Sequence, residues 1–153
     1  MEQLLIQPSE ITENTPLGGN VDIDKYLPLI IDVQLLVIEP LIGAKLYDLL
    51  KNQKANNNLT AENLLILNEY LKPILRHQVC AEYIEQGVYT IANGGVFRHQ
   101  PKDSTILDKS ELIYFAGIQR SKSQTYIERY LKKYGSANWT ENKLNKVTGG
   151  WYL

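Results

Sequence analysis

From Leu64 to Ile91, apolar side chains return every three or four residues: Leu64, Leu67, Leu71, Ile74, Leu75, Val79, Tyr83, Ile84, Val88 and Ile91, with Gln78 the polar exception on that face. A period held for about eight turns is one stripe of an amphipathic helix, and it commits the chain to helix-on-helix packing. Pro73 falls inside the stripe. Its missing N–H and the pressure of its ring on the preceding turn predict a kink, or two helices meeting near Lys72. Thr60 is the expected N-cap, and Asn93-Gly94-Gly95 the expected stop.

The same spacing recurs on both sides. Ile23, Tyr26, Leu27, Ile30, Ile31, Val37, Ile38 and Leu41 predict a helix from about Asp24 to Glu39, capped by Asp22 or Asp24 and ended by Pro40. Gly43 then permits a sharp turn into a short helix, Ala44 to Asn52, with Leu46, Leu49 and Leu50 inward. Asp108 with Glu111 reads as a capping box for a last long helix, whose stripe runs through Leu112, Phe115, Ala116, Gln119, Tyr126, Ile127, Tyr130, Leu131 and Tyr134. Gln119 to Gln124 is a weak, polar interruption of it, and Gly135 is its stop. The expected fold is therefore all-α: a four- to five-helix bundle over residues 22–135, with an extended N-terminal arm at 1–21, a non-helical loop near 94–108 and an extended C-terminal tail at 136–153.

Composition narrows the class. A chain of 153 residues is one domain by length, and it holds no run of about 20 uncharged apolar residues, so no membrane span is expected. Acidic Glu2 stands where a signal peptide has basic residues, and a single cysteine, Cys80, excludes an intramolecular disulfide. A reducing, intracellular site of synthesis is the expectation. Net charge is −1, but residues 1–50 carry −6 and residues 120–153 carry +5. Such polarity suits a subunit that meets an identical neighbour or a layered partner through opposite faces, with Asp22 and Asp24 on one side and Lys132, Lys133, Lys143 and Lys146 on the other. Two helices with differently charged solvent faces give the same tally.

Catalytic signatures are missing: no P-loop, no G-x-G-x-x-G and no G-x-S-x-G occurs. His77 and Cys80 stand three apart on the long helix with no further metal ligand in view, so His77 reads as structural. His99 beside Arg98 reads as a surface contact, and Glu82 and Glu85 as carboxylates on different sides of their helix. No enzyme, cofactor or metal is expected. Tyr126, Tyr130 and Tyr134 repeat at i+4 on the apolar face, which makes them core before they are a platform for nucleic-acid bases.

The tail SANWTENKLNKVTGGWYL is polar with sparse apolar anchors: Trp139, Leu144, Val147, Trp151, Tyr152 and Leu153. Fixing eighteen residues costs more than those anchors return unless a groove receives them, so docking on another protein is the expected role. Folding back over the parent bundle is the alternative.

Two stretches carry a family resemblance. One is Asp32 to Leu50, a helix running through Glu39-Pro40-Leu41-Ile42-Gly43 into Lys45-Leu46-Tyr47-Asp48-Leu49-Leu50. The other is the long helix ending at Asn93-Gly94-Gly95-Val96-Phe97, a loop, and Glu111 to Tyr134 with its Tyr130-Leu131-Lys132-Lys133-Tyr134 end. Over roughly residues 22–135 the pattern resembles the all-helical head–tail connector (adaptor) proteins of tailed bacteriophages, notably those of Bacteroidetes-type hosts. The resemblance implies a virion structural protein without a reaction. It would form a homo-oligomeric ring, commonly of twelve, beneath the capsid portal. The portal protein and further neck or tail proteins would be its partners, and DNA would pass non-specifically through the channel. The residues themselves leave a second expectation standing, a small helical regulatory or nucleic-acid-binding module that uses the basic C-terminal third.

Overall fold

The computed structural model describes residues 2–17, 23–86, 89–92, 95–98 and 109–135, the residues at 89–98 by backbone alone. The architecture is all-α. Its elements are α1 (Pro8–Asn14), a 3₁₀ turn (Ile23–Lys25), α2 (Tyr26–Val33), α3 (Glu39–Ile42), α4 (Ala44–Ala55), α5 (Ala61–Ile66), α6 (Lys72–Gln86), strands β1 (Tyr89–Ala92) and β2 (Gly95–Arg98), and α7 (Lys109–Tyr134). Wide π-turns at Gln34–Ile38 and Leu67–Leu71 join α2 to α3 and α5 to α6. The described helix therefore forms five continuous runs: 8–14, 23–42, 44–55, 61–86 and 109–134.

Both wide turns precede a proline by two positions, at Pro40 and at Pro73. In each the ladder slips by one residue: Glu39 N–H bonds to the Gln34 carbonyl, and Lys72 N–H to the Leu67 carbonyl. The opened turn lets the proline ring enter a helix that would otherwise break on it. Pro40 accordingly does not end its helix, contrary to the sequence expectation. The run continues to Ile42 and stops at Gly43, whose φ of 88° only glycine adopts freely.

α6 packs along α7, with α2 and α1 against α6. The core gathers Ile30, Val37, Ile38 and Leu41 with Leu50, Leu67, Leu71, Ile74, Leu75, Val79, Ile127 and Tyr130. In α4 the inward pair is Tyr47 and Leu50, while Leu46 is half-buried and Leu49 faces out at 45% exposure. The expected Leu49 burial fails because the helix turns on Tyr47, whose hydroxyl has a buried partner and whose ring fills more space than Leu49 would. Thr60 caps α5 as expected, its hydroxyl accepting from the Asn63 N–H at 3.2 Å. Gly135 ends α7 at φ 74°, its N–H on the Leu131 carbonyl at 2.8 Å.

Two further expectations are corrected. Within the supposed arm, residues 8–14 form α1, and Leu5, Ile6 and Ile11 are at most 1% exposed in the common core. Gln34 holds this segment: its Oε1 accepts from the Leu5 N–H (2.7 Å), and its Nε2 donates to the Gln3 carbonyl (3.0 Å) and the Tyr47 hydroxyl (3.2 Å). Tyr47 donates in turn to Glu2, which also takes a bond from Lys51, while Lys72 bonds Glu10. The second correction concerns the long helix, which ends at Gln86, not near Ile91. Tyr89-Thr90-Ile91-Ala92 instead pairs antiparallel with Gly95-Val96-Phe97-Arg98, in the register Tyr89 to Arg98 and Ala92 to Gly95. The residues between the strands are Asn93 and Gly94, the dipeptide that two-residue hairpin loops favour, flanked by strand-forming side chains. Within the expected loop near 94–108, residues 95–98 thus form a strand, and 99–108 lie outside the described residues.

Candidate functional site

The interior carries a polar seam where α6 meets α7. His77, Gln78 and Glu82 on α6 and Gln119, Arg120 and Ser123 on α7 are all buried. Gln78 and Glu82 are four apart on α6, and Gln119 and Ser123 four apart on α7, the spacing that keeps positions on one facing stripe. His77 Nδ1 donates to Gln119 Oε1 at 2.8 Å, and its ring stacks 6.1 Å from that of Tyr126. Burial, with Arg76 and Lys122 nearby, holds the imidazole below its ordinary value against the opposing bond from Gln119. Arg120, 3% exposed, reaches both Glu82 (3.4 Å) and Glu85, on which its two terminal nitrogens close a forked pair with Nη2 at 2.8 Å from Oε2. Glu82 and Glu85 therefore do not point apart but converge on one guanidinium from positions three apart on α6. Burial raises the Glu82 carboxyl above its ordinary value despite Arg120 beside it.

This arrangement is a clamp. His77 is held by Gln119 and Arg120 by the two glutamates, and among the described residues no group of three His, Cys, Asp or Glu side chains converges as metal ligands. Cys80 is buried beside the seam, its thiol pushed up to about 11 by burial, which removes it from thiolate chemistry near neutral pH.

The outer surface is more suggestive. On the first half of α7, Ile113, Tyr114, Phe115 and Ile118 are exposed, Tyr114 by 67% and Phe115 by 44%. Beside them a groove of about 580 Å³ runs between the N-terminal segment, α6 and α7, lined chiefly by Leu17, Tyr83, Ile84, Leu112, Phe115 and Ile118, with Lys122 on its rim. Toward the other end of α7, a second groove of about 530 Å³ is lined by Leu64, Leu65 and Tyr70 with Arg129 and Lys133. Arg129 stands over the Tyr70 and Tyr126 rings at 5.8 and 5.4 Å from their centres. Phe115 and Arg129 are fourteen positions apart on one straight element, about 21 Å.

Of the residues singled out from sequence, Lys132 and Lys133 are exposed in the last turn of α7, and Asp24 is exposed in the 3₁₀ turn. Trp139, Leu144, Val147, Trp151, Tyr152, Leu153, Lys143, Lys146 and Asp22 lie outside the described residues, as do His99 and Asp108. The tyrosine stripe is core: Tyr130 is 4% exposed, Tyr126 and Tyr134 are half-buried, and Tyr70 meets the Tyr130 and Tyr134 rings edge-on at 5.9 and 5.6 Å. What periodicity missed is the seam, because residues 119–124 look like a gap in the apolar stripe until their partners some forty positions earlier are in place.

Residues 38–149 match a family of unknown function (DUF6712). The chain belongs to that family. No curated protein and no solved structure matches it. The DUF6712 stretch takes in the seam, the walls of one groove on α6 and α7 and of the other on α5, the 67–71 turn and α7, and the sequence as far as Gly149, while the Gln34-held segment 2–17 precedes it. Among the described residues no helix is long and apolar enough to cross a membrane.

Proposed function

We propose that the protein is a structural subunit of the neck of a tailed bacteriophage, one copy of a ring that joins the capsid portal to the tail around the DNA channel. The observation that carries this reading is the pair of unlike apolar surfaces at opposite ends of α7, Ile113 to Ile118 at one and Leu64, Leu65 and Tyr70 at the other. A ring closes through head-to-tail contacts between two different patches, whereas a two-fold dimer needs a single self-complementary one. The acidic first third and basic last third add an orienting potential between neighbours. The single continuous helix α7 sets the separation of the two surfaces, and the clamp of Glu82, Glu85 and Arg120 fixes α6 against it. The helical resemblance to connector proteins supplies the layer above, with residues 136–153 as the segment that docks on the portal.

The stripe of Tyr126, Tyr130 and Tyr134 in the basic half of α7 weighs against the nucleic-acid module: these rings pack against the bundle, buried or half-buried, and leave no open platform for bases there. Mass measurement in solution and electron microscopy of the full chain, alone and with the portal protein of the same phage, test the proposal. Rings, free or portal-bound, are expected. A chain that stays monomeric beside portal yet binds DNA with a steep salt slope overturns it. Truncation after Gly135 is expected to abolish portal attachment.

A further inference from the structure

The groove beside Phe115 points to a receptor for a short aromatic segment. Leu17, Tyr83, Ile84, Leu112, Phe115 and Ile118 line a space of about 580 Å³, of the size that takes a few large side chains. We infer that its occupant is Trp151-Tyr152-Leu153 of the same chain, with the tail turned back along α7. This does not depend on the neck-ring reading, though under that reading it stows the portal-docking segment before assembly.

The chain's own dimensions select the occupant. α7 ends at Gly135, twenty positions past Phe115, so the groove lies about 30 Å back along the helix. Trp139 is four residues beyond Gly135 and reaches at most about 14 Å, so it cannot enter. Trp151 is sixteen residues beyond, with a limit of about 55 Å stretched and about 20–25 Å as a loose coil, and the groove falls between those lengths. The three apolar residues follow Gly149-Gly150, which free the backbone to turn them into the groove. A tether of this length holds the segment at a local concentration of order millimolar, so its own groove is filled before that of a neighbour at micromolar protein.

Tryptophan fluorescence reads this directly, because both tryptophans, Trp139 and Trp151, lie beyond Gly135. In full-length Trp139→Phe protein the signal comes from Trp151 alone. The expected result is a blue-shifted emission with acrylamide quenching severalfold weaker than for free tryptophan, unchanged across a wide range of protein concentration. Adding Phe115→Asp or Ile118→Asp, both at exposed positions, is expected to restore the spectrum and quenching of water-exposed indole while the helical circular dichroism stays. Free-indole quenching in the Trp139→Phe parent overturns the inference. Shielding that survives either charged variant, or that grows with concentration as a neighbour's tail would make it, does the same. Should both charged variants lose helix, Ile118→Cys with Tyr152→Cys decides: an intrachain disulfide in the monomer is expected, and failure to form it counts against the latch. Whether wild-type copies form a ring with portal is read separately by the mass measurement; in a ring the latch must first leave Phe115 and Ile118, which a neighbour would then cover.

Discussion

Arg120 is 3% exposed and faces Glu82 and Glu85 from the adjacent helix. Taking away one partner of a buried pair strands the other, so Arg120→Met should lower stability by about 3 kcal/mol, the low end for such losses because Glu85 is partly hydrated. Urea unfolding measures it. Adding Glu82→Gln should recover part of the loss, since the stranded buried charge then disappears. His77 offers a pH-dependent counterpart. Its folded imidazole binds a proton less readily than the unfolded one, through burial and the nearby Arg76 and Lys122. The stability it contributes is present above the ordinary histidine value, about 6.5, and is lost as pH falls through the lower folded value. The melting temperature should fall between about pH 7 and pH 5, and His77→Asn should flatten that part of the curve, as scanning calorimetry will record. Neither residue announces its role in the sequence: a buried polar pair is visible only once both helices are placed.

At the scale of elements, the N-terminal segment depends on one side chain. Gln34→Leu keeps the size but leaves the Leu5 N–H and the Gln3 carbonyl without their partner, which should cost about 1–3 kcal/mol and speed amide exchange selectively across residues 3–14. The same segment should be the first to loosen in acid, because Glu2 is held below the ordinary glutamate value by Lys51 and Tyr47, and Glu10, against its burial, by Lys72 and the Gln7 N–H. Pro73→Ala should not stabilise α6, as removal of a helix-interior proline ordinarily would. The wide turn already fits the ring, so the loosened unfolded chain should make the variant less stable by about 0.4–1 kcal/mol in urea titration. The elements legible in the sequence were those with a sustained period: the runs around 23–42, 44–55, 61–86 and 109–134. Illegible were α1, only seven residues long with Ile11 its one core-forming aliphatic side chain, and the strands, whose Tyr-Thr-Ile-Ala also fits the tail of a helical stripe.

For the whole molecule, the sequence conveyed a helical bundle and a charge gradient but not the surface. Leu64 belongs to the predicted inward stripe and Phe115 to that of α7, yet both are 44% exposed, because the buried face at those turns runs instead through Asn63, Ile66 and Leu67 on one helix and through Ala116 and Gln119 on the other. If copies meet through those ends with the acidic and basic thirds oriented against one another, association should weaken as salt rises from about 0.05 to about 0.5 M, where the Debye length falls below about 5 Å. Sedimentation at the two salt levels gives the answer; an unchanged or tighter assembly at high salt would mean that apolar contact alone holds it.

Each wide turn also holds one residue more than a regular helix needs to cover the same rise. The surplus sits at Leu35 and Leu36 in one turn and at Asn68 and Glu69 in the other, all solvent-facing. Chain length and bundle geometry are thereby uncoupled at two sites: a homologue one codon shorter within either turn can close it to an ordinary helix without rotating any downstream core residue. Alignments of this family, whose matched stretch begins at Ile38, should accordingly gather single-residue gaps at Leu67–Leu71, two positions ahead of Pro73, and a relative with that gap should lack the proline, which a closed turn does not admit.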